Sequence, residues 1–435
     1  MFNKYGKFGL TRNPFASEAY SRDDNSANFV DEVVADELDT FRRRLVAGAI
    51  EESRSMSFLW SLGAFGFDTG YGKTATLRRM AREINSDWGL STLTLAGASL
   101  ADAENYPICA TYVSFNSNNV NSLYSGLFEA VRWAANWRRA ADSPSLLWEL
   151  RERALAANGV SGSAAATTLG DIMAVSQAEF TRGLSQLRAD LVDILVNSDS
   201  SDELANSLSD VSPTTRQRSG HLYFQAFLCL AHAAGVKKVF TFLDQIEDLA
   251  NPYISTKQKR YREVERFRDT LIEDPIVGAM GSFVFTLHRR AEDSLVDAWT
   301  NSRLPSFDPD HKANASRVLV LRGLRDDAAA ETLVRALLET ARKDDSDAQT
   351  DLWPFTDDAV SAIRIRNSGR ISKFLEDCHA VLAYAAEDNG EPPFDAAYVH
   401  EVAAPQGHDD DPDAGFANEA ALRGERGSEE LLGRF

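Results

Sequence analysis

The amino-acid sequence predicts an α/β fold: a parallel sheet wound on both faces by helices, interrupted by a helical insertion and followed by a C-terminal helical lid. Three observations predict it. Short apolar runs rich in β-branched and aromatic residues recur along the chain with helical patterns between them. One of these runs passes through a glycine-rich turn directly into a helix, and the alternation stops near Asp326, beyond which the pattern is helical only. Alternation of this kind implies parallel pairing, because each strand has to be carried back across the sheet by a crossover before the next can join.

After an initial GLTRNPF, the stretch from Phe29 to Glu52 places Val33, Val34, Leu38, Phe41 and Leu45 at helical spacing and is expected to be an entry helix. Met56 to Ala64 is the first strand, and Lys73 to Ile84, with Leu77, Met80 and Ile84 on one face, is the helix after its glycine turn. Ile108 to Phe115 (ICATYVSF) and a helix from about Val120 to Trp137 form the second strand and helix pair. Further strands are expected at Val239 to Leu243, Ser282 to Leu287 and Arg317 to Leu321. Between them, residues 142–215 are rich in Ala, Ser and turn formers and read as a helical insertion. Helices at Ala328 to Arg342, Thr356 to Ile365 and Ile371 to Ala386 make the lid. The expected organisation is an N-terminal linker and helix at 1–55, a core at 56–141 and 216–325, the insertion at 142–215, the lid at 326–403, and an acidic, disordered tail at 404–435.

Composition narrows the function. With 44% hydrophobic and 26% charged residues, the 435-residue chain has the balance of a globular protein with real cores. No apolar run approaches the ~18 to 20 residues of a membrane span, and the amino terminus lacks the continuous apolar segment of a secretory signal, so a cytoplasmic location is expected. Cys109, Cys229 and Cys378 are widely spaced among apolar residues and are expected to be buried, reduced thiols. A net charge of −19 opposes a nonspecific nucleic-acid coat and confines any DNA contact to a local patch. Arg42-Arg43-Arg44 reads as helix surface.

The strongest local signal is Gly66-Phe-Asp68-Thr69-Gly70-Tyr71-Gly72-Lys73-Thr74-Ala75, between the first strand and its helix. Glycines there let backbone N–H groups converge on phosphate oxygens at a helix start, Lys73 suits the outer phosphates, and the Thr74 hydroxyl suits Mg2+. The usual G-x-x-x-x-G-K-[ST] spacing asks for glycine at 67 and meets Phe67, with Gly66 one residue early. A second part is Val239 to Asp244, an apolar strand ending in a carboxylate that can share a magnesium ion with Thr74. Gln245 follows it, and an amide cannot take a proton from water. Glu247 is therefore the candidate water-activating group, with Asp248 beside it.

The order of GFDTGYGKT, VFTFLDQIED, FVFTLH and NSGRISKF resembles the AAA+ P-loop ATPases over roughly residues 10 to 390, in particular the branch of origin-recognition and initiator-loader ATPases and the related STAND NTPases. The resemblance implies ATP and Mg2+ as cofactors, ATP hydrolysis, a polar sensor at Thr286 or His288, and a nucleotide-touching lid arginine at Arg370. It places a trans-acting arginine before the last core strand, with Arg303 and Arg317 as positional candidates and Arg289 and Arg290 behind them. It also implies that GLTRNPF packs near the adenine, that copies of the chain assemble with each other and with other subunits, and that the basic stretch from Lys257 to Arg268 meets DNA or a partner. No winged-helix domain is expected after the lid. Two functional readings follow: an ATP-driven motor or switch of a bacterial multi-protein system linked to DNA, such as defence or mobile-element transfer, or an ATP-loaded scaffold with little hydrolysis, which Gln245 favours. A small-molecule kinase is a third, with no role for the lid and sensor.

Overall fold

The computed structural model describes residues 3–15, 29–61, 70–115, 120, 122–160, 165–181, 189–246, 257–287, 289–343, 350–388 and 390–402. The chain divides into two compact units, Asp23–Gly323, and Met1–Arg22 together with Leu324–Phe435.

Asp23–Gly323 is built on five parallel strands, β1 (Met56–Ser61), β2 (Ile108–Ser114), β3 (Lys238–Asp244), β4 (Gly281–Thr286) and β5 (Val318–Leu321), in the spatial order β2-β3-β4-β1-β5. Each starts within one residue of the position its apolar run predicts. Every residue of β1, β3 and β4 is buried, as it must be in a parallel sheet covered by helices on both faces. Side chains alternate across the sheet. Phe58 stacks on Phe285 at 5.7 Å, with Trp299 and Phe307 edge-on to Phe58, whereas Phe242 of the opposite face meets Phe41 of the entry helix at 5.8 Å.

Register decides where polar ends of strands meet. Ser114 lies level with Asp244, Leu243 with Phe285, and Leu59 with Thr286. The carboxyl ends of β1 to β4 therefore share one edge of the sheet. The chain leaves β1 toward β2 in one direction, while β5 is placed on the other side of β1, so the strand order reverses there. A reversal of this kind opens a crevice at the carboxyl edge.

Helices of the insertion, Leu146–Ala157, Ala165–Phe180, Ala189–Asn197 and Ser201–Ser209, share the core of the sheet: Leu146, Leu150, Met173, Leu195 and Leu204 are buried in one cluster with Phe224 and Val239. The 21-residue helix Pro213–Ala233, started by Ser212 and Pro213, runs through that cluster. The entry helix is not uniform. It begins as a 3-10 turn, becomes α at Ala35–Thr40, widens to π at Phe41–Ala47 and closes as α at Gly48–Glu51. Its carbonyls meet one buried cation, Arg54, which donates to Arg44 O at 2.7 Å and to Gly48 O at 3.3 Å. A Cβ at Gly48 would lie 2.5 Å from Arg54 Nη2, so a side chain there would displace the guanidinium. Arg42, expected at the helix surface, is instead turned inward to Glu83 of the helix Lys73–Ser86 and only 12% exposed, because a buried carboxylate needs a charged donor.

In the second unit the helices Asp327–Glu339, Asp357–Arg366, Ile371–Glu387 and Ala396–Val402 pack on the amino-terminal segment. Phe8 meets Phe394 edge-on at 5.4 Å, Thr11 N donates to Ala341 O at 2.7 Å, and Lys343 N donates to Gly9 O at 3.0 Å. All three cysteines are buried and unpaired by disulfides. Among the described residues no helix is long and apolar enough to cross a membrane.

Candidate functional site

Gly70 and Gly72 both hold left-handed φ angles, 85° and 87°, which cost glycine nothing and would strain any residue with a Cβ. Gly72 is the N-cap of the helix Lys73–Ser86, so the first amides of that helix and its positive dipole end point out of the carboxyl edge of the sheet beside β1. Tyr71 is buried, leaving its backbone rather than its phenol to face a ligand, and Ala75 is exposed. Lys73 Nζ donates to the hydroxyl of Ser61, the last residue of β1, at 2.7 Å. Gly66, Asp68 and Thr69, the first half of the loop, lie outside the described residues, as do Glu247, Asp248 and His288.

Asp244 is the hub. Its carboxylate is 1% exposed and accepts from three hydroxyls: Thr74 Oγ1 at 2.6 Å and Tyr112 OH at 2.9 Å on Oδ2, and Thr286 Oγ1 at 2.6 Å on Oδ1. The sheet register causes this, since β2 and β4 flank β3 and end level with it. A buried charge is tolerated only when it is hydrogen-bonded, and hydroxyls supply the bonds while leaving oxygen donors of the hard type that magnesium takes. Burial, and next the Asp244 charge, push the Tyr112 phenol far above its ordinary range, against the opposing pull of Arg78, whose guanidinium lies 5.0 Å from the ring centre. Tyr112 is thus held as a donor at all ordinary pH.

Gln245 sits just past the strand with a φ of 60°, its N–H donating to Thr286 Oγ1 at 2.9 Å and its side-chain oxygen accepting from Ser114 Oγ at 3.2 Å. The turn after Asp244 is therefore clamped to β4 and β2. Thr286, one of the two expected sensor residues, contacts both Asp244 and Gln245, so its hydroxyl is placed to couple the two.

Four predicted residues thus come together: Lys73, Thr74, Asp244 and Thr286, with Gln245 next to them. Sequence reasoning missed Ser61, Tyr112 and Ser114. A signal existed, because each is a hydroxyl at or near the end of an otherwise apolar strand. Which strand lies beside which was needed to use it.

The other expected residues lie elsewhere. Arg370 is the N-cap of Ile371–Glu387 in the second unit, where Gly369, φ 74°, makes room for the close approach of Leu324. Arg303 follows the helix Arg289–Asn301 with a φ of 54° and lines a cavity of about 410 Å³ with Tyr261, Arg268 and Asp269. Arg317 immediately precedes β5, at the amino edge of the sheet, and its backbone carbonyl accepts from Phe58 N. The stretch Lys257–Arg268 forms a helix to Phe267, in which Glu263 is buried, accepting from Leu123 N at 3.0 Å and from Arg266 at 2.5 Å. Arg268 pairs with Glu273 at 2.6 Å. Two of the basic residues in this stretch are therefore already engaged within the protein. Among the described residues no group of three or more His, Cys, Asp or Glu forms a metal cage.

No protein-family model and no curated protein matches the chain. Among solved structures it is similar to Aeropyrum pernix ORC2 in an ADP form, with 12% identity over 85% of this chain and 68% of that one and a TM-score of 0.43. It is likewise similar to the ADPNP-ADP complexes of Aeropyrum pernix ORC2, with 12% identity, 88% and 73% coverage and a TM-score of 0.38. The α/β assignment rests on the strand order and register themselves.

Proposed function

We propose that this chain binds ATP with Mg2+ at the carboxyl edge of its sheet and acts as an ATPase motor or switch of the AAA+ type. The observation that carries the reading is the bond from Thr74 Oγ1 to Asp244 Oδ2 at 2.6 Å beside a helix start opened by two left-handed glycines. It supports a phosphate cradle and a magnesium-binding pair built from parts of the chain 170 residues apart. Gly70 to Lys73 would hold the phosphates, and Thr74 and Asp244 the metal, which when bound supplies charge neutralisation on the phosphate oxygens. Thr286 and Gln245 would read the outer phosphate. Arg370 would touch the nucleotide from the lid, Arg303 or Arg317 would act on a neighbouring copy, and Glu247 would activate water.

A second reading is favoured by Gln245. Its amide can orient water but cannot take the proton, which supports an ATP-loaded scaffold subunit with slow turnover that recruits a partner effector. A DNA-linked bacterial system, of defence or mobile-element type, is the setting the resemblance suggests for the motor or switch, with DNA contacts through Lys257–Arg268, assembly with copies of itself and other subunits, and a cytoplasmic location.

The test is ATP binding and steady-state phosphate release by the purified chain, with and without duplex DNA, beside Lys73→Ala and Glu247→Gln. Turnover abolished by Lys73→Ala supports the motor. Tight binding without turnover supports the scaffold. No binding of ATP at all refutes both.

A further inference from the structure

The helix Lys73–Ser86 carries a second group of cations on the half remote from the phosphate loop. Arg79 and Arg82 of that helix, Arg42 of the entry helix, and Arg138 and Arg139 beyond the helix Leu123–Asn136 line a cavity of about 620 Å³. Arg82 is nine residues beyond Lys73, or ~13 Å along the helix axis at the usual rise. All of these residues belong to the Asp23–Gly323 unit.

Chemically, the wall is rich in hydrogen-bond donors. Its carboxylates, Asp31 and Glu83, are already committed to protein donors. Glu83 is 7% exposed and accepts from Arg42 Nε at 2.7 Å, from Arg42 Nη2 at 2.6 Å and from Thr92 Oγ1 at 3.0 Å. Asp31 accepts from Arg79 Nε at 3.0 Å and Nη2 at 2.6 Å. These two-pronged pairs fix the planes of the guanidiniums, each of which has five N–H donors and commits two to its fork. Arg139 Nη2 donates to Asn85 O at 3.1 Å, offsetting the negative end of the helix dipole, and to Glu149 Oε2 at 3.1 Å. Arg138 is steadied by Ser143 O and Asp202. Five guanidiniums stand against four paired carboxylates, Asp31, Glu83, Glu149 and Asp202, which leaves the cluster a local excess of one positive charge within a chain whose net charge is −19.

A cavity with pre-aligned guanidinium donors, no lining carboxylate left uncommitted and a small positive balance is complementary to an anion rich in acceptors. Its volume is within the range of roughly 300 to 1,000 Å³ of small-molecule sites. Trp137 and the half-exposed Leu95 add an apolar stretch to the wall. The strongly negative protein as a whole repels a long run of phosphates, whereas a small anion responds to the local field alone. We propose that this cavity binds a small ligand bearing two or more phosphate groups, at a site separate from the phosphate loop.

The experiment is calorimetric titration of sodium pyrophosphate into the full chain carrying Lys73→Ala, so that the loop lysine does not contribute. Saturable one-to-one binding is expected. Adding Arg82→Ala or Arg138→Ala should weaken it by roughly tenfold, the equivalent of one charge-assisted bond, with far-UV circular dichroism unchanged. Arg138 is the safer substitution, because its ion pair is with the exposed Asp202. Absence of binding in the Lys73→Ala chain overturns the proposal, and so does binding that neither arginine substitution affects. Tighter binding of a short oligothymidylate than of pyrophosphate, at equal salt, overturns it in favour of a nucleic-acid strand.

Discussion

Replacing Thr286 with valine preserves the shape of the side chain and removes one hydroxyl, yet two hydrogen bonds depend on that oxygen. It donates to Asp244 Oδ1 at 2.6 Å and accepts from Gln245 N at 2.9 Å, at a residue with no solvent exposure. A bond to a charged acceptor contributes about 1.5 to 3 kcal/mol. The orphaned Gln245 amide adds about 1 kcal/mol, the low end of the range, because Gln245 is half-buried and water can reach it. Thr286→Val should therefore destabilise the α/β unit by about 3 kcal/mol, a large part of the ~5 to 15 kcal/mol typical of a folded domain. Thr286→Ser, which restores the hydroxyl, should recover all but about 1 kcal/mol. The assay is urea unfolding followed by tryptophan fluorescence. A valine variant within about 0.5 kcal/mol of the parent would mean that the Asp244 carboxylate is satisfied without Thr286, and the account of the hub would be wrong.

Other perturbations probe the same architecture. Tyr112→Phe removes one of three donors to Asp244 and should cost about 1.5 to 3 kcal/mol in the same unfolding assay; stability equal to the parent would show that the phenol does not support the carboxylate. ATP with magnesium at a hundredfold over its dissociation constant should raise unfolding stability by about 2.7 kcal/mol in the parent and not in Lys73→Ala, and equal shifts in both would refute the loop as the binding site. Gln245→Glu introduces a base next to Asp244 and should raise phosphate release by roughly a hundredfold if proton abstraction limits turnover; an unchanged rate would place the limit elsewhere. Burial pushes the thiols of Cys109 and Cys229 up to about 12. Because the neutral form is the one the folded state keeps, their contribution is intact below the unfolded thiol range near ~8.5 and is lost as pH rises from there, by up to about 1.4 kcal/mol per pH unit for each thiol. Urea midpoints compared between about pH 8 and 10 should fall less in Cys109→Ala than in the parent, and parallel slopes would contradict that burial effect.

Local chemistry made much of the molecule legible. Strand positions could be read because a strand covered on both faces has to be apolar along its length, as VFTFLD and GSFVFT are. The turn at Gly70 and Gly72 could be read because only glycine adopts left-handed angles freely, and the lid helices because their apolar residues repeat at helical spacing. Asp244 as the end of an apolar strand was visible for the same reason.

What the sequence could not decide was adjacency. Nothing in ICATYVSF says that its tyrosine will reach a carboxylate 132 residues away; that follows from β2 pairing with β3 in one register. Period and propensity describe how a segment treats the inside and outside of the protein, not which segment lies beside it, so Ser61, Tyr112 and Ser114 became site residues only in the folded chain. The same limit made Arg42 look like helix surface until Glu83 of another helix was found opposite it. The arginine-lined cavity is a product of tertiary structure alone, since its cations come from two helices and from the segment after a third, and taken one segment at a time they are ordinary solvated charges.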